Sequence, residues 1–445
     1  MKLTPQRDVK QKLSAGEKIY LLRKHNRTTQ AELAEVMRVR PEKIVRVERG
    51  EDEYAQAHID AAKKHFNIVD LPLTERECIA FRERLYYWRS LLRAGRMSEA
   101  NDIYSEIANI DKLESCDYDT TTLCKMLEVY HLMVEGKYDL AKEKLVIHQK
   151  SLNKFDIESL YHYNNSKGFL HIQQGNYDQS LDYYLKAYEI SENHKGLMPE
   201  DDGRLYYNIA YSYTCMDIPY RAIFFLQKAK HAQTYDKDAK LFFYINQALA
   251  TNYVKMNQLK EAERLLNQCL LKAESIKDNS FVSLVWFGFG YLNKKANNWS
   301  LAIKHFDDAM GRLPKDTLDF FPALYHKIHC VIRSRAFTEA SQLLLQAKEK
   351  YDMNEMWQIY FTALWHYLKI SSNMSTNNND ESIKYIEYRA IPYFISKHDY
   401  FTTIDYYSLL EQHYGKLNST KKSLLMAKAI RDIYLKCYTN HGRDD

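Results

Sequence analysis

Glycine and proline are scarce, at 13 and 8 of 445 residues, less than half of the roughly 12% that ordinary usage would give. Both supply the tight turns that an all-β fold needs at every hairpin, and glycine supplies phosphate-cradling loops. A large sandwich or barrel is therefore excluded, and a mostly helical chain is expected. Also missing is any uninterrupted apolar run of about 18 residues, the length that spans a bilayer. Residues Met1 to Asp8 lack the apolar stretch of a secretory leader. The 7 cysteines are odd in number and contain no Cys-x-x-Cys pair, which argues against a disulfide framework or zinc ribbon. The chain reads as cytoplasmic, with reduced and mostly buried thiols. What is abundant is tyrosine, 36 residues, which packs well where one end of a side chain is buried and the other is wet.

Charge is unevenly placed. Residues 1–49 hold 13 Lys and Arg against 6 Asp and Glu, whereas the whole chain is only +5. A basic head on a near-neutral body suits a polyanion partner. Within the head, Ile19 and Leu22 have helical spacing, and Thr29 with Glu32 forms a capping box. Pro41 fits a first helical turn and Gly50 a helix end. A further helix is expected from about Ala55 to Phe66. Two short helices around the break at Arg38-Val39 make a helix-turn-helix.

The stretches Leu22-Arg23, Thr29-Gln30-Ala31-Glu32-Leu33-Ala34 and Ile44 to Gly50 closely resemble the phage-repressor (Xre) helix-turn-helix. By that resemblance Gln30 touches a phosphate, Arg40, Glu42 and Arg46 face the major groove, and Lys43 lies near the backbone. Arginine can pair with guanine and glutamate can accept from cytosine. The rival reading is a protein-binding helix-turn-helix or a solvated basic helix.

Past residue 70 one unit repeats: a turn-forming residue, then an apolar residue two positions on, then a small residue three further. It recurs from Gly95, Gly136, Gly175, Asp217, Asn257, Asn297 and Arg335, with weaker copies from Asn377 and Gly415. Successive anchors are 38 to 42 residues apart. Seven residues before an anchor another small residue often stands: Gly168, Ala210, Ala250, Gly290, Ser408. Two helices of a hairpin could approach closely there. The pattern resembles the tetratricopeptide repeat, although its period exceeds the family's roughly 34 residues; HEAT-type repeats are the alternative. The fold expected is all-α, a helix-turn-helix domain followed by a right-handed α-solenoid of about nine tetratricopeptide-like hairpins. The divisions expected are 1–70 for DNA binding, 71–93 for a linker and first solenoid helix, and 94–445 for the repeats. Thr74 with Glu77 reads as the cap of that first helix, and 371–380 as a polar inter-helix loop.

No enzymatic constellation stands out. Gly288-Phe289-Gly290 lacks the third glycine of a dinucleotide fingerprint and falls inside a helix. His326 and His329 share a helix face, yet no second cluster completes a metal site. The expectation is no catalysis, no metal and no cofactor.

The inward positions of the first helix in successive hairpins project as Asn165, Phe169, Tyr207, Tyr211, Thr214, Gln247, Thr251, Lys255, Phe287, Tyr291 and Lys294, with Asn208 beside them. Amides can donate to and accept from a peptide backbone, aromatics give rigid contact area, and lysine can hold a carboxylate. Asn164 and Asn246 stand where the repeat usually packs an aromatic. A repressor-type head on such repeats resembles the peptide-pheromone receptors of the Rap/Rgg/NprR/PlcR/PrgX superfamily. The resemblance implies a cytoplasmic transcription regulator, usually a homodimer on a two-fold operator, whose solenoid binds a short quorum-sensing peptide. It also makes Asn165 and Asn208 leading candidates for holding the peptide backbone. The alternative is a solenoid that binds a protein partner such as a response regulator or sigma factor.

Overall fold

The computed structural model describes residues 14–68, 71, 75–108, 118–195, 197, 201–232, 239–276, 279–313, 320–351, 355–373 and 379–438. They are helical throughout, with no strand among them. The chain divides into two compact units, Met1–Ser166 and Lys167–Asp445.

The first unit opens with α1 (Ala15–His25), α2 (Gln30–Met37), α3 (Pro41–Glu48) and α4 (Gln56–His65). Each start has a local cause. Ser14 and Glu17 box the start of α1, and Thr29 and Glu32 that of α2: the Thr29 N–H donates to Glu32 Oε2 at 2.6 Å while Thr29 Oγ1 accepts from the Glu32 N–H at 3.2 Å. Pro41 opens α3, where its missing N–H is not needed. Gly50 takes φ +74 just past that helix, a left-handed conformation that glycine adopts without penalty. Ile19, Leu33, Ala34, Met37, Ile44 and Val47 form the buried centre of this bundle. A separate core follows, where Leu85, Trp88 and Leu91 of α5 (Glu75–Ala94) pack with Ala100 of α6 (Met97–Ala108) and Leu123 of α7 (Tyr118–Val134). Next come α8 (Tyr138–Gln149) and α9 (Ile157–Gln173). The expected cap at Thr74 lies outside the described residues.

The second unit continues through α10 (Tyr177–Asn193), α11 (Asp202–Cys215), α12 (Pro219–His231), α13 (Ala239–Lys255) and α14 (Leu259–Ile276). It goes on with α15 (Asn279–Lys295), α16 (Trp299–Met310), α17 (Phe320–Arg333), α18 (Phe337–Tyr351) and α19 (Glu355–Ser372). The last elements are α20 (Asp380–Tyr385), a π-turn at Ile386–Ala390, α21 (Ile391–Ser396), α22 (Tyr400–Lys416) and α23 (Thr420–Tyr438). The π-turn ends two residues before Pro392, whose absent N–H removes one rung of the helical ladder. First helices stack on first helices, α11 on α13, α13 on α15, α15 on α17 and α17 on α19, which is the arrangement of an α-solenoid.

The repeat anchors are the turns. Gly95, Gly136, Gly175, Asp217, Asn257, Asn297 and Arg335 all have φ between 53° and 79° and each is followed two residues later by a helix start. The close approaches expected seven residues earlier are present: a Cβ on Gly168 would lie 2.7 Å from the Tyr184 ring, and one on Gly290 would lie 2.6 Å from Phe306. The final anchor is a correction. Gly415 lies inside α22, and the left-handed residues at this end are His398 and Asn418. Leu409, Leu410, His413 and Tyr414 keep α22 buried through its last turn, so the helix runs on until Asn418, a residue that tolerates this backbone. Asn377 and the middle of the 371–380 loop lie outside the described residues. Four of the six described cysteines are buried, and no disulfide joins them.

The last hairpin reaches back across the unit. The Phe401 N–H donates to Asp217 Oδ2 at 3.1 Å, the Tyr438 hydroxyl donates to the Lys255 carbonyl at 2.7 Å, and His398 lies 3.0 Å from Asp178.

Candidate functional site

In the head, Ile44 and Val47 anchor α3 and leave its other face to solvent. Arg40 and Glu42 are exposed near its start, and Arg46 one turn further on. Lys43 is half-buried and lies 3.8 Å from Asp52, which also pairs with Arg46. Pairings between such solvent-facing charges are weak and exchangeable. Gln30 is occupied differently. Its amide donates to Glu48 Oε2 at 2.6 Å, and Glu48 also accepts two bonds from the buried Arg23, at 2.7 and 2.9 Å. Gln30 thus braces α2 against α3, a role that a motif match does not reveal.

The second unit encloses a cavity of about 590 Å³, within the range of ordinary ligand sites. Its wall takes side chains from α13, α15, α17, α19 and α22. Of the residues projected from sequence, Thr251, Lys255, Phe287, Tyr291 and Lys294 line it. The others in this unit do not. Tyr207 packs 6.2 Å from Tyr211 and 6.0 Å from Tyr244, between ring centroids. Gln247 donates to the Leu284 carbonyl at 2.9 Å and so links neighbouring hairpins. Asn208 and Phe169 are half-buried on their helices. Thr214 accepts from the Asn252 amide at 2.8 Å. Asn165 lies in the first unit, half-buried, with its side-chain oxygen unpaired. Asn164 and Asn246 donate to the carbonyl four residues back, each at 2.9 Å.

The rest of the wall lies beyond the projected hairpins. Tyr325, His326, His329 and Arg333 come from α17, Trp357 and Tyr360 from α19, and Phe401 and Asp405 from α22. Lys255 pairs with Asp217 and donates to the Thr214 carbonyl at 2.9 Å. Lys294 holds Asp405 at 3.2 Å. Burial pushes the Asp405 carboxyl up, but Lys294, His329 and Arg333 together bring it down to about 2. The two imidazoles carry no charge near neutral pH. Burial, then Lys294, holds His329 down to about 3 and His326 well below its usual value. No group of residues able to hold a metal occurs among the described residues.

The all-helical repeat fold of the chain is similar to that of solved tetratricopeptide-like helical solenoids. The sequence is 22% identical over 349 residues to the transcriptional activator NprA of Geobacillus stearothermophilus, covering 76% of this chain and 84% of that protein. The fold matches the quorum sensor NprR, solved in its apo form from B. thuringiensis and in complex with its cognate peptide NprX. Each match has a TM-score of 0.64 and 21% identity, and covers 79% of this chain and 98% of that one. It also matches a Rap protein complexed with competence and sporulation factor, with a TM-score of 0.66 and 15% identity over 81% of this chain and 99% of that one. No family model matches the sequence, and no described helix is long and apolar enough to cross a membrane.

Proposed function

We propose that this chain is a cytoplasmic, DNA-binding transcription regulator whose repeats sense a short signalling peptide. Residues 1–70 are its DNA-binding domain, 71–93 its linker and first solenoid helix, and 94–445 its peptide-binding and dimerisation domain. The observation that carries this reading is the exposed face of α3, with Arg40, Glu42 and Arg46 on a firmly packed helix-turn-helix. On DNA, Arg46 and Lys43 leave Asp52 for the duplex; Lys43 meets the phosphate backbone, and Arg40, Glu42 and Arg46 read base edges. Gln30, at the start of α2, donates its second amide hydrogen to a phosphate while the first stays on Glu48. A homodimer presents two such heads to a two-fold operator.

Peptide in the second unit rearranges the dimer and so changes the spacing of the heads. It can do so only through different affinities for the two arrangements. The NprA name and the NprR–NprX complex support regulation and peptide sensing. Selection of binding sites from a random duplex library tests the reading. The full chain should enrich a palindromic sequence, and Arg40→Ala with Arg46→Ala should lose that enrichment while keeping its helical spectrum. Equal enrichment by the variant would refute the assignment. Asn208→Ala should weaken binding of a selected peptide and leave peptide-free DNA binding unchanged.

A further inference from the structure

The cavity of the second unit has more positive than negative charge in its wall. Lys255, Lys294, Lys295 and Arg333 line it, against three aspartates. Lys255 and Lys294 already have carboxylate partners in Asp217 and Asp405. The third carboxylate, Asp399, accepts from the Tyr360 hydroxyl at 2.7 Å and the Thr402 N–H at 3.2 Å. Burial, and then Asp217 nearby, raises its pKa.

Lys295 and Arg333 lie against aromatic rings, and Asp405 acts on both from beyond ion-pair distance. The Lys295 ammonium is 5.5 Å from the Phe401 ring centroid, and the Arg333 guanidinium is 5.3 Å from that of Trp299. Arg333 also donates to the Tyr367 hydroxyl at 3.3 Å. Burial, opposed by Asp405 and reinforced by Lys294, pulls Lys295 below its ordinary pKa. A half-buried ammonium in that state gains from an anion beside it. His329 adds a buried Nδ1 without a hydrogen-bond partner, a polar contact for a backbone amide.

We propose that this cavity selects peptides by a carboxylate, which Lys295 and Arg333 hold while Phe401 and Trp299 pack the flanking side chains. The carboxylate comes from an aspartate or glutamate side chain or from the peptide's C-terminus. The inference rests on the peptide-sensing reading above. Charge-assisted hydrogen bonds to a partly desolvated carboxylate are worth about tenfold or more in affinity.

The test uses the full chain, immobilised, and random hexapeptide libraries made as free acids and as C-terminal amides. Retained peptides are sequenced by mass spectrometry for the wild type, for Lys295→Gln with Arg333→Gln, and for the conservative Lys295→Arg. The wild type should enrich carboxylate-bearing peptides by about tenfold, the double variant should lose the preference, and Lys295→Arg should keep it. Enrichment of Asp or Glu that persists in the amide library supports a side-chain source; enrichment confined to the free acids supports a C-terminal one. Retained peptides with no carboxylate preference, or a preference unchanged in the double variant, would overturn the inference and leave peptide sensing standing. No retained peptide in any library would overturn both.

Discussion

Removing the Glu48 carboxylate should unfold the helix-turn-helix far more than its single side chain suggests. Arg23 is 5% exposed, and its guanidinium donates twice to Glu48 and, at 3.0 Å, to the Thr28 carbonyl. Gln30 adds a third donor to the same carboxylate. Glu48→Ala leaves that guanidinium buried without its counter-ion, a change that costs about 3–5 kcal/mol. A domain is stable by only about 5–15 kcal/mol, and a bundle this small sits near the lower end. Amide hydrogen exchange of the full chain measures the loss. Protection at Leu33 and Ile44 should fall by about two to three powers of ten, since 1.4 kcal/mol is about tenfold, while α15 amides keep theirs. The pair Arg23→Met with Glu48→Leu should recover most of the loss, because an apolar replacement of both partners leaves no stranded charge. Single and double variants whose effects simply add would show that the pair is not coupled, and would refute the reasoning.

Two further outcomes follow from packing and burial in the second unit. Gly290→Ala places a methyl group 2.6 Å from the fully buried Phe306 ring and should lower stability by about 1–3 kcal/mol; thermal denaturation with an unchanged midpoint would contradict this. His329 is held by burial, then by Lys294, down to about 3 from its usual 6.5. Protons therefore bind the unfolded chain first, so its contribution is complete above about pH 6.5 and declines as pH falls toward 3. His329→Gln should flatten the fall in melting temperature between pH 7 and pH 5, and an identical slope in both proteins would count against a buried neutral imidazole.

Local rules made the head and the hairpin turns legible. Thr29 with Glu32, Pro41 and Gly50 act within a few residues of themselves, so their effects can be read without tertiary structure. The same holds for Asp217, Asn257 and Asn297, whose side chains tolerate left-handed backbone. Gly415 misled because it fits the small-residue template while the apolar face of α22 continues through it. For the cavity, helical periodicity was enough to mark Thr251, Lys255, Phe287, Tyr291 and Lys294. It could not mark Phe401 or Asp405, which reach that wall only because the chain closes on itself over nearly half its length. Lys255 illustrates the difference: its place on α13 is periodic, but its neighbour Tyr438 is not foreseeable from any local pattern. Gln30 and Gln247 escaped for a related reason, since each is drawn aside by an acceptor on another helix.

That reach of the last hairpin changes how the unit is made as well as how it stands. A stack of repeats that touch only their neighbours folds piece by piece and can begin anywhere. Here Asp217 is tied to Phe401 and Lys255 to Tyr438, so the final closure brings together residues 184 and 183 positions apart, at an entropic cost of about 4–5 kcal/mol for a flexible loop of that length. Closure can come only after the intervening hairpins have shortened the loop. During synthesis the cavity lacks the wall that α22 and α23 supply until both have emerged. A ribosome-bound chain thus has an incomplete cavity wall, which is finished only when the last hairpin seats.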